Sequence, residues 1–220
     1  MRRFLVVEGL MGAGKTTLCR LIAESWGAGL VLEPSEDNPF LEPFYNDPKR
    51  FAFPVQMFYL INRWRQQDGI RQADLFQELV VSDYLFEKDR LFAEQTLEAM
   101  ELSLYDRFAG ALGESAPKPD LILYLDIPTE VLLQRISRRA RPGESAISAE
   151  YIDDLRARYE RLWARYTDAP VLRLDNRTLN YADDEEARER ILTIVRGALF
   201  GGAMVGRRAE AHGQPTLFGA

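Results

Sequence analysis

Short apolar runs alternate along this chain with longer stretches in which apolar residues recur at helical spacing. The candidate strands are residues 3–8, 30–32, 78–83, 121–126 and 171–174. The longest candidate helices are residues 47–72, 91–112 and 183–199. Strands that are separated by helices favour a parallel sheet with helices on both faces. We therefore predict an α/β fold built on a five-stranded parallel sheet.

The chain has 220 residues, of which 46% are hydrophobic, and this composition suits one domain with a sizeable core. We place that domain at residues 1–200. Residues 201–220 are poor in core-forming side chains and rich in glycine and alanine, so we expect them to form a flexible C-terminal tail.

The first candidate strand runs into a glycine-rich loop, and a helical stretch follows the loop. The segment from Gly9 to Thr16 matches G-x-x-x-x-G-K-[ST] at every defined position. Backbone N–H groups of such a loop surround phosphate oxygens, and the following helix adds its positive N-terminal end. We expect Lys15 to reach the β- and γ-phosphates of ATP and the Thr16 hydroxyl to ligate Mg²⁺. The predicted nucleotide-binding residues are Gly9, Gly12, Ala13, Gly14, Lys15, Thr16 and Thr17.

Two carboxylates, Glu33 and Asp83, end the second and third candidate strand segments. Ligands of parallel sheets bind beyond the carboxyl ends of the strands, so both side chains should face the glycine-rich loop. Glu33 could take a proton from an attacking hydroxyl, or it is a solvated acid at a strand end. Asp83 could hold Mg²⁺, directly or through water, or it only caps the helix that follows.

Gln56 and Arg63 are seven positions apart in an aromatic-rich helical stretch and share one helix face. An amide and a guanidinium on one face suit a planar nucleobase, which they would contact by edge hydrogen bonds and stacking. The spacing alone favours an ordinary core helix with two polar residues at its margin.

Four arginines, Arg135, Arg138, Arg139 and Arg141, lie within seven residues at the end of a candidate helix. Such a cluster would neutralise charge on a transferred phosphoryl group, and the Pro and Gly that follow would let the segment close as a lid. A helix C-terminus also favours basic residues through its dipole, but that effect accounts for one or two arginines better than for four.

The net charge of −6 and the pI near 5.1 do not indicate a nucleic-acid or anionic-membrane partner. The sequence has no run of 18 apolar residues, so we expect no membrane-spanning helix. The one cysteine, Cys19, excludes an intramolecular disulfide and favours a reducing cytoplasm. The single histidine, His212, lies in the tail, so we expect neither a His-based metal site nor a Ser-His-Asp triad.

Together these segments resemble the deoxynucleoside kinases, over roughly residues 3–195, and bacterial purine deoxynucleoside kinases in particular. The matching segments are GLMGAGKTT, the Glu-Pro at Glu33, DNPFLEPFYNDPKRFAFPVQMFYLINR and RISRRARPGE. The resemblance implies a P-loop kinase fold with an arginine-rich lid, and a homodimer. It also implies phosphoryl transfer from ATP, with Mg²⁺, to the 5′-hydroxyl of a deoxynucleoside in nucleotide salvage, with purines favoured.

The resemblance further implies roles for individual residues. Glu33 matches the general base for the nucleoside 5′-hydroxyl. Tyr45 matches the tyrosine that holds the sugar 3′-hydroxyl, and Glu144 matches its lid partner. Gln56 matches the glutamine that binds the base, and Arg63 matches the arginine beside it. The matches to the lid arginines that hold the donor phosphates are Arg135, Arg139 and Arg141.

The third candidate strand departs from the family pattern, which usually has Glu/Asp-Arg-Ser where this chain has Ser82-Asp83-Tyr84. Either Asp83 is the acid near Mg²⁺ and the arginine is missing, or the register slips by one and Asp83 replaces the arginine. We prefer the first interpretation, because Mg²⁺ needs a carboxylate. The same ambiguity makes either Lys88 or Asp89 the downstream contact to the base, which leaves the base preference open.

Two other functions fit part of the pattern. A thymidylate-type nucleoside monophosphate kinase shares the phosphate loop, the Glu-Pro and a similar third strand, but it usually carries a second arginine set for the acceptor phosphate. A nucleotide-binding switch without transferase activity would account for the missing arginine. Such a switch needs neither Glu33 nor the arginine cluster.

Within the tail, Gln214, Leu217 and Phe218 form a Gln-x-x-Leu-Phe pattern. The pattern resembles the short peptides with which bacterial replication proteins bind the sliding clamp, and a flexible segment with two large apolar residues suits such binding. The alternatives are a frayed terminus, or Leu217 and Phe218 packed on the protein's own surface.

Overall fold

The computed structural model describes residues 3–33, 38–72, 77–113, 116–140, 144, 147–177 and 180–201, with only the backbone at residues 68, 69, 71 and 72. Arg141, one of the predicted lid arginines, lies outside the described residues, as do residues 202–220 of the predicted tail. The domain boundary at residue 200 and the clamp-like pattern therefore stay predictions.

Five parallel strands form one sheet, in the order β2-β3-β1-β4-β5. The strands are β1 (Arg3–Gly9), β2 (Gly29–Val31), β3 (Leu79–Ser82), β4 (Leu121–Asp126) and β5 (Val171–Asp175). The helices are α1 (Lys15–Trp26), α2 (Leu41–Asn46), α3 (Pro48–Gln72), α4 (Lys88–Thr96), α5 (Ala99–Gly113), α6 (Thr129–Arg139), α7 (Ala149–Trp163) and α8 (Glu185–Phe200). The predicted α/β fold is confirmed. None of the described helices is long and apolar enough to cross a bilayer.

The central strand β1 is buried on both faces of the sheet. Leu5 and Val7 join Leu18 of α1 in the main core cluster. Val6 lies between them in sequence, so its side chain points to the opposite face, where it packs with Ile122 of β4 in a second cluster. Burial on both faces explains why the strands appear in the sequence as unbroken apolar runs rather than as alternating patterns.

The prediction of one continuous helix over residues 91–112 is wrong. This stretch forms the end of α4 and most of α5, and the chain between them is extended at Leu97 (φ −92°, ψ 143°). Ala93 of α4 and Tyr105 of α5 both pack with Leu60 of α3. Because apolar residues continue on both sides of the break, periodicity alone does not reveal it.

The strand order places the loops after β1 and β3 side by side. Val6 of β1 pairs in register with Ser82, the last residue of β3. The chain leaves β1 towards β2 on one side and leaves β3 towards β4 on the other, so the two loops border a crevice at the carboxyl ends of the strands. Asp83 follows β3 at this crevice. The short strand β2 ends at Val31, so Glu33 belongs to the loop beyond it.

Candidate active site

The glycine-rich loop between β1 and α1 has a backbone that only glycine adopts easily. Gly12 and Gly14 have φ angles of 79° and 94°. A Cβ at Gly14 would also lie 2.5 Å from the Tyr181 hydroxyl. Because α1 begins at Lys15, the unpaired N–H groups of its first turn adjoin the loop, as a phosphate site requires.

The side chain of Lys15 arches back over this loop. Its Nζ donates hydrogen bonds to the carbonyl oxygens of Gly9, at 2.8 Å, and Leu10, at 3.0 Å. Burial lowers the pKa of Lys15 to about 8, and the nearby positive charge of Lys88 contributes in the same direction. A buried ammonium is costly without an anion, so its position suits contact with a phosphate.

The two predicted metal ligands lie within hydrogen-bond distance of each other. The Thr16 hydroxyl donates to Asp83 Oδ2 at 2.6 Å, and the backbone N–H of Glu33 donates to Asp83 Oδ1 at 2.7 Å. The helix that follows begins at Lys88, with Glu87 as its N-cap, so Asp83 does not cap it. A hydroxyl and a carboxylate beside a phosphate loop are the hard oxygen donors that suit a Mg²⁺ bound to nucleotide phosphates. Among the described residues, no group of three or more His, Cys, Asp or Glu side chains could hold a metal ion alone.

Another carboxylate, Glu8 near the end of β1, is fully buried beneath the loop. Its oxygens accept hydrogen bonds from the backbone N–H groups of Gly9, at 3.0 Å, and Leu85, at 2.6 Å. The Tyr159 hydroxyl donates to it at 2.8 Å. Glu8 therefore supports the loop from behind and is not a candidate metal ligand.

Glu33 lies between two buried cations. Its Oε1 accepts from Arg63, and its Oε2 lies 3.2 Å from the ammonium of Lys88. Burial alone would raise the pKa of Glu33, but the positive charges of Lys88, Arg63 and Lys15 outweigh that effect and hold its pKa well below its usual range. These cations favour the ionised form of Glu33, whose oxygens can accept a hydrogen bond from a hydroxyl placed beside them.

The middle of α3 (Pro48–Gln72) carries two polar side chains, Gln56 and Arg63, that are paired with residues of α4. Arg63 forms a second ion pair with Asp89, whose Oδ2 has no hydrogen-bond partner among the described residues. Gln56 Nε2 donates to the Thr96 hydroxyl at 3.1 Å, and that hydroxyl donates to the carbonyl oxygen of Phe92 at 2.7 Å. Because a hydroxyl carries one proton, Thr96 can only accept from Gln56. The amide orientation of Gln56 is thereby fixed.

The predicted sugar-binding residues Tyr45 and Glu144 line the same cavity. Glu144 is buried, and its carboxylate accepts from Arg139 Nε at 3.2 Å and Nη2 at 2.5 Å. This bidentate pair joins the lid segment to α6. The sequence does not indicate it.

The described arginines of the cluster also reach this region. Arg135 donates to the carbonyl oxygens of Ala13, at 3.4 Å, and Asn176, at 3.3 Å, so it connects α6 to the phosphate loop. Arg138 and Arg139 line the cavity beside it.

A single cavity of about 1310 Å³ unites these groups. Ligand pockets commonly measure about 300–1,000 Å³, so this one has room for a nucleotide and a second small molecule. Of the predicted site residues that the structure describes, only Ala13 does not line it, because the Ala13 side chain is fully buried in the main core cluster. The residues brought together are Gly9, Gly12, Gly14, Lys15, Thr16, Thr17, Glu33, Tyr45, Gln56, Arg63, Asp83, Arg135, Arg139 and Glu144.

Comparison with known protein families gives a match to the deoxynucleoside kinase model over residues 5–199. The chain belongs to the deoxynucleoside kinase family. The resemblance predicted from the sequence is thereby confirmed, together with the enzyme class.

Two relatives of this deoxynucleoside kinase share about a third of its residues over most of the chain. Deoxyguanosine kinase of Bacillus subtilis (strain 168) is 33% identical over 198 residues, which cover 88% of this chain and 96% of the relative. Deoxyadenosine/deoxycytidine kinase of the same organism is 30% identical over 202 residues, which cover 89% of this chain and 92% of the relative.

Solved structures share the fold of this kinase. The structure of deoxyadenosine kinase from M. mycoides with bound dATP superimposes with a TM-score of 0.74 at 24% sequence identity. The superposition covers 88% of this chain and 99% of the other. The P-loop kinase fold is thus confirmed.

The kinase also contains site residues that the sequence argument missed. Asn176 Nδ2 donates to the carbonyl oxygen of Ala13 at 3.1 Å and to the Tyr181 hydroxyl at 3.0 Å. Tyr181 in turn donates to the carbonyl oxygen of Gly14 at 3.2 Å. These residues brace the phosphate loop from the segment after β5. The sequence offers one indication of this role, because Asn176 is a polar residue directly after the last strand.

Proposed function

We propose that this kinase transfers the γ-phosphoryl group of Mg-ATP to the 5′-hydroxyl of a purine deoxynucleoside. One observation carries the proposal. A carboxylate paired with two buried cations, Glu33, lies in one continuous cavity between a phosphate-binding loop and the polar groups of Gln56 and Asp89. That arrangement suits a donor phosphate on one side of the carboxylate and a neutral acceptor with a polar base on the other.

The reaction follows from this placement. The hydroxyl oxygen forms a bond to the γ-phosphorus while the bond from that phosphorus to the β,γ-bridging oxygen breaks, and its electron pair leaves with ADP. The hydroxyl proton passes to Glu33. A carboxylate of low pKa is a weak base, but a loose phosphoryl-transfer transition state demands orientation more than proton abstraction. Positive groups such as Lys15 and Arg135 would stabilise the charge on the phosphoryl oxygens.

We assign the Mg²⁺ of the nucleotide to Thr16 and Asp83. Their hydroxyl and carboxylate oxygens match the preference of Mg²⁺ for hard donors. When bound, the ion would neutralise charge on the β- and γ-phosphates. The side chains of Thr16 and Asp83 then serve to fix its position relative to Lys15.

The acceptor end of the cavity suits a base that carries an N–H donor, and the purine preference rests on the relatives. Asp89 Oδ2 is a buried acceptor without a hydrogen-bond partner among the described residues, and it suits an N–H donor on a base edge. The fixed amide of Gln56 supplies a second polar contact. The two Bacillus subtilis relatives are named for deoxyguanosine and for deoxyadenosine/deoxycytidine.

The surface of α3 and α5 supports a homodimer. Leu104 and Phe108 recur one turn apart on α5, with 43% and 46% exposure. Ile61 and Trp64 of α3 add two more exposed apolar side chains. The helices carrying them pack together through Leu60 and its neighbours. Exposed apolar side chains on two helices that pack together suit contact with a second copy of the chain.

The tail pattern remains a separate prediction about partners. A synthetic peptide of residues 209–220 should bind the sliding clamp of the same organism at about micromolar or weaker affinity. A peptide in which Leu217 and Phe218 are both alanine should not bind. Equal binding by the two peptides, or none by either, would exclude clamp docking.

A substrate panel tests the proposed function. The full chain is incubated with Mg-ATP and each deoxynucleoside, ribonucleoside and nucleoside monophosphate, and ADP release is measured. Purine deoxynucleosides should give the highest kcat/KM. ADP release with monophosphates alone, or with none of the acceptors, would overturn the proposal.

A further inference from the structure

Lys88 lies in an unusual place for a lysine. It is the first residue of α4, and its side chain is only 5% exposed in the cavity wall. A cation in the first turn of a helix opposes the helix dipole, and burial of an ammonium is costly. Phe92 offers partial compensation, because its ring centroid lies 5.6 Å from the Lys88 Nζ. The fold itself gains little from a charge at this position.

The described residues do not fill the hydrogen-bonding capacity of Lys88. An ammonium has three N–H donors, and Glu33 Oε2 accepts one of them at 3.2 Å. Within the described parts of the chain, no other hydrogen bond from this ammonium is present. The remaining donors adjoin the cavity that also contains Lys15 and Glu33. They are therefore available to a ligand oxygen.

We propose that Lys88 is a catalytic residue that donates a hydrogen bond to the acceptor 5′-oxygen of the nucleoside. The inference rests on the proposed function, because that function puts the 5′-hydroxyl beside Glu33. A hydroxyl oxygen about 2.7 Å from Glu33 Oε2 can also lie about 2.9 Å from the Lys88 ammonium. With the observed 3.2 Å between Glu33 and Lys88, these distances close a triangle.

The two contacts together orient the nucleophile. A hydroxyl has one proton and two acceptor lone pairs. The proton points to Glu33, one lone pair accepts from Lys88, and the second lone pair is left to attack the γ-phosphorus. The O5′–phosphorus bond forms, the bond to the β,γ-bridging oxygen breaks, and the proton is taken by Glu33. Lys88 keeps its protons throughout and afterwards faces the new phosphate ester.

The test combines a residue change with a change in the substrate. Lys88→Met removes the ammonium and keeps the side-chain length, and Lys88→Gln serves as a second variant if the first does not fold. Binding of the preferred deoxynucleoside and of its 5′-deoxy analogue is measured by calorimetry. Lys118→Met is the matched control, because Lys118 is 69% exposed and pairs with Asp168 away from the cavity.

The expected result is selective. Lys88→Met should weaken binding of the nucleoside by about tenfold, the effect of one hydrogen bond to a charged group. Binding of the analogue that lacks the 5′-hydroxyl should change by less than about twofold, because the deleted ammonium had no partner on it. Turnover should fall by roughly 10² to 10³-fold. The Lys118→Met control should match wild type in all three measurements.

A purely structural role for Lys88 predicts a different pattern. Equal weakening of both ligands, or wild-type turnover in a folded Lys88 variant, would overturn the inference. A different result would reject the proposed function, namely wild-type protein that does not phosphorylate any deoxynucleoside. Wild-type turnover with no selective Lys88 effect would leave the function standing and reject the role of this residue.

Discussion

Replacement of Glu33 by glutamine is the most informative single change in the site, because Glu33 is both the proposed proton acceptor and the anion that pairs with two buried cations. The change keeps the size of the side chain and removes its negative charge. In the folded protein that charge faces Arg63 through one oxygen and Lys88 through the other. We therefore expect separate losses in turnover and in stability.

The loss in turnover follows from the loss of proton acceptance. An amide cannot take the proton of the attacking hydroxyl, and removal of a general base costs roughly 10² to 10⁴ in rate. This range corresponds to about 3–5 kcal/mol of activation free energy. Binding of Mg-ATP should change little, because we propose that its phosphates contact the loop at Lys15 rather than Glu33.

The loss in stability follows from the unpaired cations. Arg63 retains Asp89 as a partner, whereas Lys88 loses its one anionic hydrogen-bond partner in the described part of the chain. A lost hydrogen bond to a charged group costs about 2 kcal/mol. For a chain of this length that lowers Tm by about 4–8 °C. The double variant Glu33→Gln/Lys88→Met should regain part of this loss, because it removes both charges together.

The assay pairs steady-state kinetics with thermal unfolding, without ligands. Glu24→Gln is a suitable control, because Glu24 is an exposed glutamate on α1 that does not line the cavity. Near-wild-type kcat with unchanged KM in Glu33→Gln would refute the role as general base. An unchanged Tm would refute the argument from the buried ion pairs.

Other variants separate the remaining roles. Asp83→Asn should raise the Mg²⁺ concentration needed for activity far more than Ser82→Ala does. Ser82 is buried, and within the described structure it forms hydrogen bonds only with the backbone of the following turn. A severe defect in Ser82→Ala beside an active Asp83→Asn would reject Asp83 as the metal ligand. Arg139→Ala should lower kcat by roughly a hundredfold with a smaller change in nucleoside KM, and unchanged kcat would leave this arginine a structural role only, through its pair with Glu144. Leu104→Glu/Phe108→Glu should give a monomer by light scattering, whereas a wild-type chain that is itself monomeric would reject the proposed interface.

The fold was largely predictable because its signals are local. Both faces of the sheet are buried, so its strands appear as apolar runs, and β4 (Leu121–Asp126) was predicted with its observed limits. The defined residues of the phosphate loop have a fixed spacing in the sequence, because the loop directly connects one strand to one helix. The strand order and the break at Leu97 were not predictable, because they depend on packing between distant segments.

The site residues were predictable where a motif or a family resemblance identifies them. The contacts that these residues make with one another were not predictable from the sequence. Asn176 braces Ala13 from 163 positions away along the chain, a distance at which no sequence pattern is informative. Lys88 was considered as a contact to the base, yet its ammonium lies beside Glu33. That placement brings together α4 and the loop after β2, which are 55 positions apart along the chain.

The most direct test of the central claim is the position of the transferred phosphate. Wild-type protein, Mg-ATP and the best deoxynucleoside are allowed to react, and the product is examined by ³¹P NMR with proton coupling. We predict a monoester whose phosphorus couples to the two 5′ protons, formed in equal amount with ADP. A phosphate on the 3′-oxygen, or ADP formed without any phosphorylated nucleoside, would contradict the placement of Glu33 between the donor and the 5′-hydroxyl.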